Sequence, residues 1–234
     1  MEPAAGTNRE SDKSGLCFWM QKTARQCDLV AGGFAPQELQ AAVVERVRTW
    51  VLYRDPDFAH PEHVSRLSLE LYDRLKTPGL LLEGTLPHAR LLLQAAAFMR
   101  DVSFSRGRKK HRLASFKMIR KMDPPLGWSG EVLRQVAPIA RFHRGSLPHP
   151  QRRVFAAIKG DVREAVLVLC GILRLTNAFD LDHRRKTRRL ALKRKGNALI
   201  LRVPGHIEDD AAAEKISAAS HLLETACRLP IFIG

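Results

Sequence analysis

The stretch over 89–101, ARLLLQAAAFMRD, constrains the fold most. It is aliphatic on nearly every side, apart from Arg90, Gln94 and the closing Arg100–Asp101. A helix that is apolar all round cannot face water and must be wrapped by other elements. The chain should therefore supply several amphipathic helices around this one. After Pro36, Leu39, Val43, Val47 and Trp50/Val51 recur at three- and four-residue spacing, the period of a helix face. Val64, Leu67, Leu71 and Leu75 form a second stripe over 61–76, which Thr77–Pro78–Gly79 stops. Further helices are expected over 113–122, over 129–144 and over 161–180. Ser129 would cap the second of these and Pro138 would kink it. Asp161 and Glu164 have the spacing of a capping box at the start of the third.

The period changes after Asp182. Residues 188–193 and 198–203 alternate apolar and polar around Lys195–Gly196–Asn197, which is a hairpin signal. A helix over 210–226 and a strand over 229–233 would complete a β-β-α-β tail. The fold class is therefore mainly α, a helical bundle followed by a small β-β-α-β tail (α+β). Three segments are expected: a partly disordered N-terminal tail (1–35), a helical domain (36–182) and a C-terminal subdomain packed on it (183–234). The 234 residues suffice for one large domain or two small ones.

No apolar run reaches the roughly 18 residues of a membrane-spanning helix. The patch Leu16–Cys17–Phe18–Trp19–Met20 is too short for the core of a signal peptide. A soluble, cytoplasmic protein that does not engage a membrane is the expectation. Of the four cysteines, Cys17, Cys27, Cys170 and Cys227, none forms a C-x-x-C pair, so a zinc ribbon or redox motif is not expected. Cys170 lies in an apolar run and reads as a buried thiol. Signatures such as G-x-S-x-G, H-E-x-x-H and the P-loop are missing.

The net charge is +15, and it is concentrated. Residues 1–100 hold 12 Lys/Arg against 12 Asp/Glu, residues 101–205 hold 25 against 7, and residues 206–234 hold 2 against 5. A positive field confined to one segment captures polyanions: polyphosphate, nucleotides, nucleic acid or an acidic partner. One tract, Arg184, Arg185, Lys186, Arg188, Arg189, Lys193, Arg194 and Lys195, lies on the expected hairpin and its approach. Few aromatics interleave with it, which argues for a sequence-blind polyanion over base stacking.

Five strings in order carry a resemblance: His63–Val64 followed by RLSLELYDRL, then LLLQAAAFMRD, KKHRLASFKMIR, IARFHRGSLP and LRLTNAFD. Their order and spacing resemble the HD-type C-terminal domain of the exopolyphosphatase / guanosine-pentaphosphatase (Ppx/GppA) family, over about residues 41–234. The catalytic N-terminal phosphatase domain of that family has no counterpart here. The resemblance implies an HD-domain-like helical bundle. It also implies a metal site of a His, a His-Asp doublet and a later Asp. His63 stands at the first position, Arg100 and Asp101 at the doublet, and Asn177 at the last. His111 and His143 resemble the additional histidines that hold a second ion in many HD proteins.

Imidazole and carboxylate donors suit divalent transition metals, which polarise phosphoryl oxygens and acidify water. A guanidinium has no lone pair to give and is always charged. Arg100 thus converts an ion seat into a candidate phosphate clamp, extended by Lys109, Lys110, Arg112, Arg141 and Arg144. The expected function is a degenerate HD domain that binds polyphosphate or a phosphorylated nucleotide without hydrolysing it, with no cofactor, and that serves a catalytic phosphatase partner. Two alternatives stay open. Convergence of His63, Asp101, His111 and His143 on one divalent metal would give a divergent phosphohydrolase. The basic hairpin could instead make the protein a nucleic-acid binder.

Overall fold

The computed structural model describes residues 37–55, 57–77, 79–81, 84–103, 111–125, 127–149, 153–204 and 210–234. The expectations for residues 1–35 and for Lys109 and Lys110 lie outside these. Among the described residues there are seven α-helices: α1 (Gln37–Leu52), α2 (Ala59–Lys76), α3 (Ala89–Met99), α4 (His111–Lys121), α5 (Gly130–Arg141), α6 (Gly160–Ala178) and α7 (Asp210–Cys227). Three strands, β1 (Ala191–Lys195), β2 (Ala198–Arg202) and β3 (Ile231–Ile233), form one small sheet. The fold is mainly α with a minor β component, as the two sequence periods require.

The aliphatic stretch is indeed central. α3 is packed by α1, α2, α5 and α6, and the run Ala95–Met99 is buried without a break. The stripe Val64, Leu67, Leu71 and Leu75 of α2 is buried against it. One continuous apolar core reaches from Val43 in α1 to Ile231 in β3. Cys170 is a buried thiol in that core, and burial pushes it well above the ordinary cysteine range.

α6 and α7 pack closely at Gly171. A Cβ there would lie 2.8 Å from the Cα of Leu223 and 2.9 Å from its backbone nitrogen. Backbone cannot swing aside as a side chain can. Gly171→Ala is expected to lower unfolding stability by about 1–3 kcal/mol, the cost typical of overpacking. Urea denaturation of the two proteins would measure it.

Several boundaries differ from expectation, four of them for a local reason. α4 starts two residues early, at His111, where no apolar residue marks the period. α5 stops at Arg141, because Phe142 leaves helical geometry; the next residues form a loop that turns at Gly145 with φ +80°. In α6, Lys159 and not Asp161 is the N-cap, and it makes no side-chain cap bond. Asp161 instead sits in the first turn, where its charge suits the helix dipole.

The fourth difference concerns β1, which begins at Ala191 and not at 188. α2 side chains occupy the backbone before it. Arg66 donates to the carbonyls of Thr187 (3.1 Å) and Arg188 (2.6 Å), and Glu70 accepts from the Leu190 N–H (3.1 Å). A two-residue turn, Gly196–Asn197, then links β1 to β2, with Gly196 at φ +58°. The positive φ matches what tight hairpin turns demand. β2 pairs antiparallel with β1 and parallel with β3. Among the described residues, no helix is long and apolar enough to cross a membrane.

Candidate metal and phosphate site

Asp101, His111 and His143 come together from three parts of the chain. Asp101 follows the C-terminal end of α3, His111 opens α4, and His143 lies just past α5. One ligand atom from each lies within 4.8 Å of the others. His111 and His143 are fully buried and Asp101 is largely so.

The hydrogen bonds around this cluster fix where its protons are. His143 Nδ1 donates to the Ala140 carbonyl at 2.7 Å. Its Nε2 therefore carries a lone pair, and burial lowers the ring to about 3, with Asp101 opposing. The ring is neutral at neutral pH. This Nε2 has no hydrogen-bond partner and stands 3.7 Å from Asp101 Oδ1. His111 Nε2 lies 2.7 Å from the Arg144 guanidinium, which can only donate. Nε2 is thus the acceptor in that bond, and Asp101 Oδ1, 3.1 Å away, receives no proton from it. Two acceptor atoms, His143 Nε2 and Asp101 Oδ1, therefore face one another with no hydrogen between them.

Burial opposes the charge on Asp101. The Arg100 guanidinium favours it and helps hold the carboxyl well below the usual carboxylate range. Since His143 stays neutral, the Arg100 guanidinium, with Nε 3.5 Å from Oδ2, is the charge that persists.

Arg100 itself is completely buried. Its Nε donates to Asn177 Oδ1 at 3.1 Å and its Nη1 to the Ala97 carbonyl at 2.5 Å; Nη2 has no partner. Arg100 and Asn177, both read from the resemblance as altered metal-site positions, therefore bond to each other. This corrects two expectations. Arg100 does not present its fork to solvent as a phosphate clamp, and Asn177 is its acceptor and no metal ligand.

His63 is corrected too. It stands outside the cluster, with Nδ1 3.4 Å from Arg66 and Nε2 buried without a partner. Burial lowers its pKa, against the pull of Asp180.

The other basic residues divide by role. Arg112 lies over Gly145 and donates to the Arg144 carbonyl at 2.6 Å. Arg174 donates to the Gly145 carbonyl at 2.6 Å. The two arginines pin the loop that carries His143 and Arg144. Arg141 lies over the rings of Phe116 and Phe142. Arg144, half-buried, is the one of these described residues that hydrogen-bonds the cluster, at His111. In the basic tract, Lys193, Arg194 and Lys195 alone lie on a strand; Arg184, Arg185, Lys186, Arg188 and Arg189 lie on the irregular approach.

A second constellation escaped the sequence reading. His60 Nδ1 donates to Asp180 Oδ2 at 2.8 Å in a buried pair. The ring of His60 stacks on His183 at 3.7 Å, and His183 bonds Asp57. His60 and His63 share one helix face at i, i+3, which was a legible hint. Asp180, 120 residues away, was not.

The donor set fits one divalent ion. It offers two imidazole nitrogens and one carboxylate oxygen, a mixture suited to zinc, iron, cobalt or manganese. The Ala140 carbonyl orients His143 as outer partners orient metal-bound histidines. A search of known protein families matches none to this chain, and no curated protein matches it in sequence.

Proposed function

We propose that this chain is a degenerate HD-type domain, related to the C-terminal part of the exopolyphosphatase / guanosine-pentaphosphatase family. On this reading it binds polyphosphate or a phosphorylated nucleotide at a single divalent ion held by Asp101, His111 and His143. One observation carries the proposal. His143 Nε2 and Asp101 Oδ1 are buried acceptors 3.7 Å apart, each without a donor. Leaving such groups bare costs about 1–3 kcal/mol each, and a cation between them removes that cost.

When bound, the ion would supply a Lewis-acidic contact for a phosphoryl oxygen. Arg144 would add a guanidinium donor beside it, and such forks suit phosphate. The Arg100–Asn177 bond fills the place where the HD pattern would build the rest of its metal site. That favours capture over in-line hydrolysis, which two-metal enzymes achieve by clamping both the attacking and the leaving oxygens. A catalytic phosphatase chain is the partner such a module would serve. The same ion could still acidify water, so the phosphohydrolase reading remains the alternative, and phosphate release from polyphosphate decides between them.

His111 Nε2 cannot donate its one lone pair to a metal and accept from Arg144 at once. Metal and phosphate should therefore bind cooperatively, because an anion draws Arg144 off the imidazole. Calorimetric titration of the purified chain with zinc should give one ion per chain, held more tightly with pyrophosphate present. His143→Ala should lose about 10–100-fold in metal affinity or more. Arg144→Ala should bind the ion at least as well as the wild type but lose the pyrophosphate effect. A wild-type chain that binds no zinc stoichiometrically would end this reading.

A further inference from the structure

The sheet has a second feature that the basic tract alone did not reveal. Side chains alternate across a strand, and the register aligns them into rows. Leu192, Leu201 and Ile233 form one inner row, with Arg194, Leu199 and Ile231 in the next; Leu199 and Leu201 are fully buried. The outer face is the complement. Lys193, Ile200 and Phe232 form its central row, flanked by Ala191 with Arg202 and by Lys195 with Ala198.

Phe232 is 63% exposed, and Lys193, Lys195 and Arg202 are exposed as well. Among the described residues the strands contribute no acidic residue to this face, and these three cations form no ion pair. The aromatic that the basic tract lacks in sequence is supplied by β3, 39 positions after Lys193, two strands and about 10 Å away.

We propose that this outer face binds single-stranded nucleic acid, with one base stacked on Phe232 and backbone phosphates on Lys193, Lys195 and Arg202. An exposed ring on a sheet, beside unpaired cations, is what sequence-tolerant strand binding needs. The ring takes the π-face that every base has, and the cations follow the backbone. Charge complementarity selects this occupant over the chain's own N-terminal residues. Residues 1–36 hold four Lys/Arg and four Asp/Glu, and so bring no net charge to offset the three cations. The site is separate from the Asp101 cluster, and neither proposal depends on the other.

The test uses the full chain and a labelled single-stranded oligouridylate of about 10 nucleotides, followed by fluorescence anisotropy. Phe232→Ala should weaken binding roughly tenfold, the effect of losing one stacked base, and Phe232→Trp should restore it. Lys193→Gln with Lys195→Gln should flatten the slope of log affinity against log salt by about 0.7 for each lost contact. Affinity of Phe232→Ala for zinc and pyrophosphate should not change. Equal oligonucleotide affinity of wild type and Phe232→Ala would overturn the proposal, as would equally tight, Phe232-independent binding of duplex DNA. Phe232 is at the surface, and thermal melts would confirm that its variants fold.

Discussion

Asp101→Ala is expected to destabilise the fold by about 3–5 kcal/mol, the cost of leaving a buried charge without its partner. Arg100 is completely buried and cannot shed its proton. Asp101 is the carboxylate paired with it, 3.5 Å from Nε. The loss should appear in urea unfolding even with metal removed, which separates it from loss of the ion. Arg100→Met added to Asp101→Ala should be more stable than Asp101→Ala alone, since removing both charges avoids the uncompensated cation. The double variant still leaves Asn177 Oδ1 and the Ala97 carbonyl without their donor, so it should remain below the wild type. A single variant within ~1 kcal/mol of wild type would mean that Arg100 is neutralised by another group.

Mild acid should destabilise the protein, and His60 is the main reason outside the proposed metal site. Burial lowers this ring from 6.5 to about 4, although the Asp180 hydrogen bond opposes the shift; Arg100 and His183 lower it further. Between those values the unfolded chain binds a proton that the folded one refuses. Stability therefore falls as pH drops through that window and is fully present above it. By pH 4.5 the loss should be on the order of 2–3 kcal/mol. His143, lowered to about 3, adds in the same direction. The depressed carboxylates Asp101 and Asp180 do not contribute here, because their stabilisation is lost only at more acidic pH. Urea unfolding at pH 7.5, 5.5 and 4.5 reads the slope. His60→Gln, neutral throughout, should flatten it, and an unchanged slope would reject His60 as its source.

Helices and strands were legible because burial imposes a period. The 89–101 stretch had to be central, and α3 is. The stripe of α2 and the buried Cys170 followed from the same rule. Ends were less legible, since a boundary depends on what occupies the backbone there. Arg66 and Glu70 delay β1, and nothing near 188–190 in the sequence announces them. The cluster was half legible. His111 and His143 were named beside Asp101, but so were His63 and Asn177, which the fold places elsewhere. Spacing along the chain told nothing of the ring nitrogens that Ala140 and Arg144 engage on the two imidazoles.

The sequence by itself determined a mainly helical chain around an aliphatic helix, with a small β tail and a segment of concentrated positive charge. Those properties reside in local period and composition, and they survive any change of neighbours. Only the tertiary structure decided that Arg100 is sealed against Asn177, that Asp101 meets His111 and His143, and that Phe232 shares one row of the sheet with Lys193. Each of these depends on distances between residues far apart in the chain, which packing sets and local pattern does not encode.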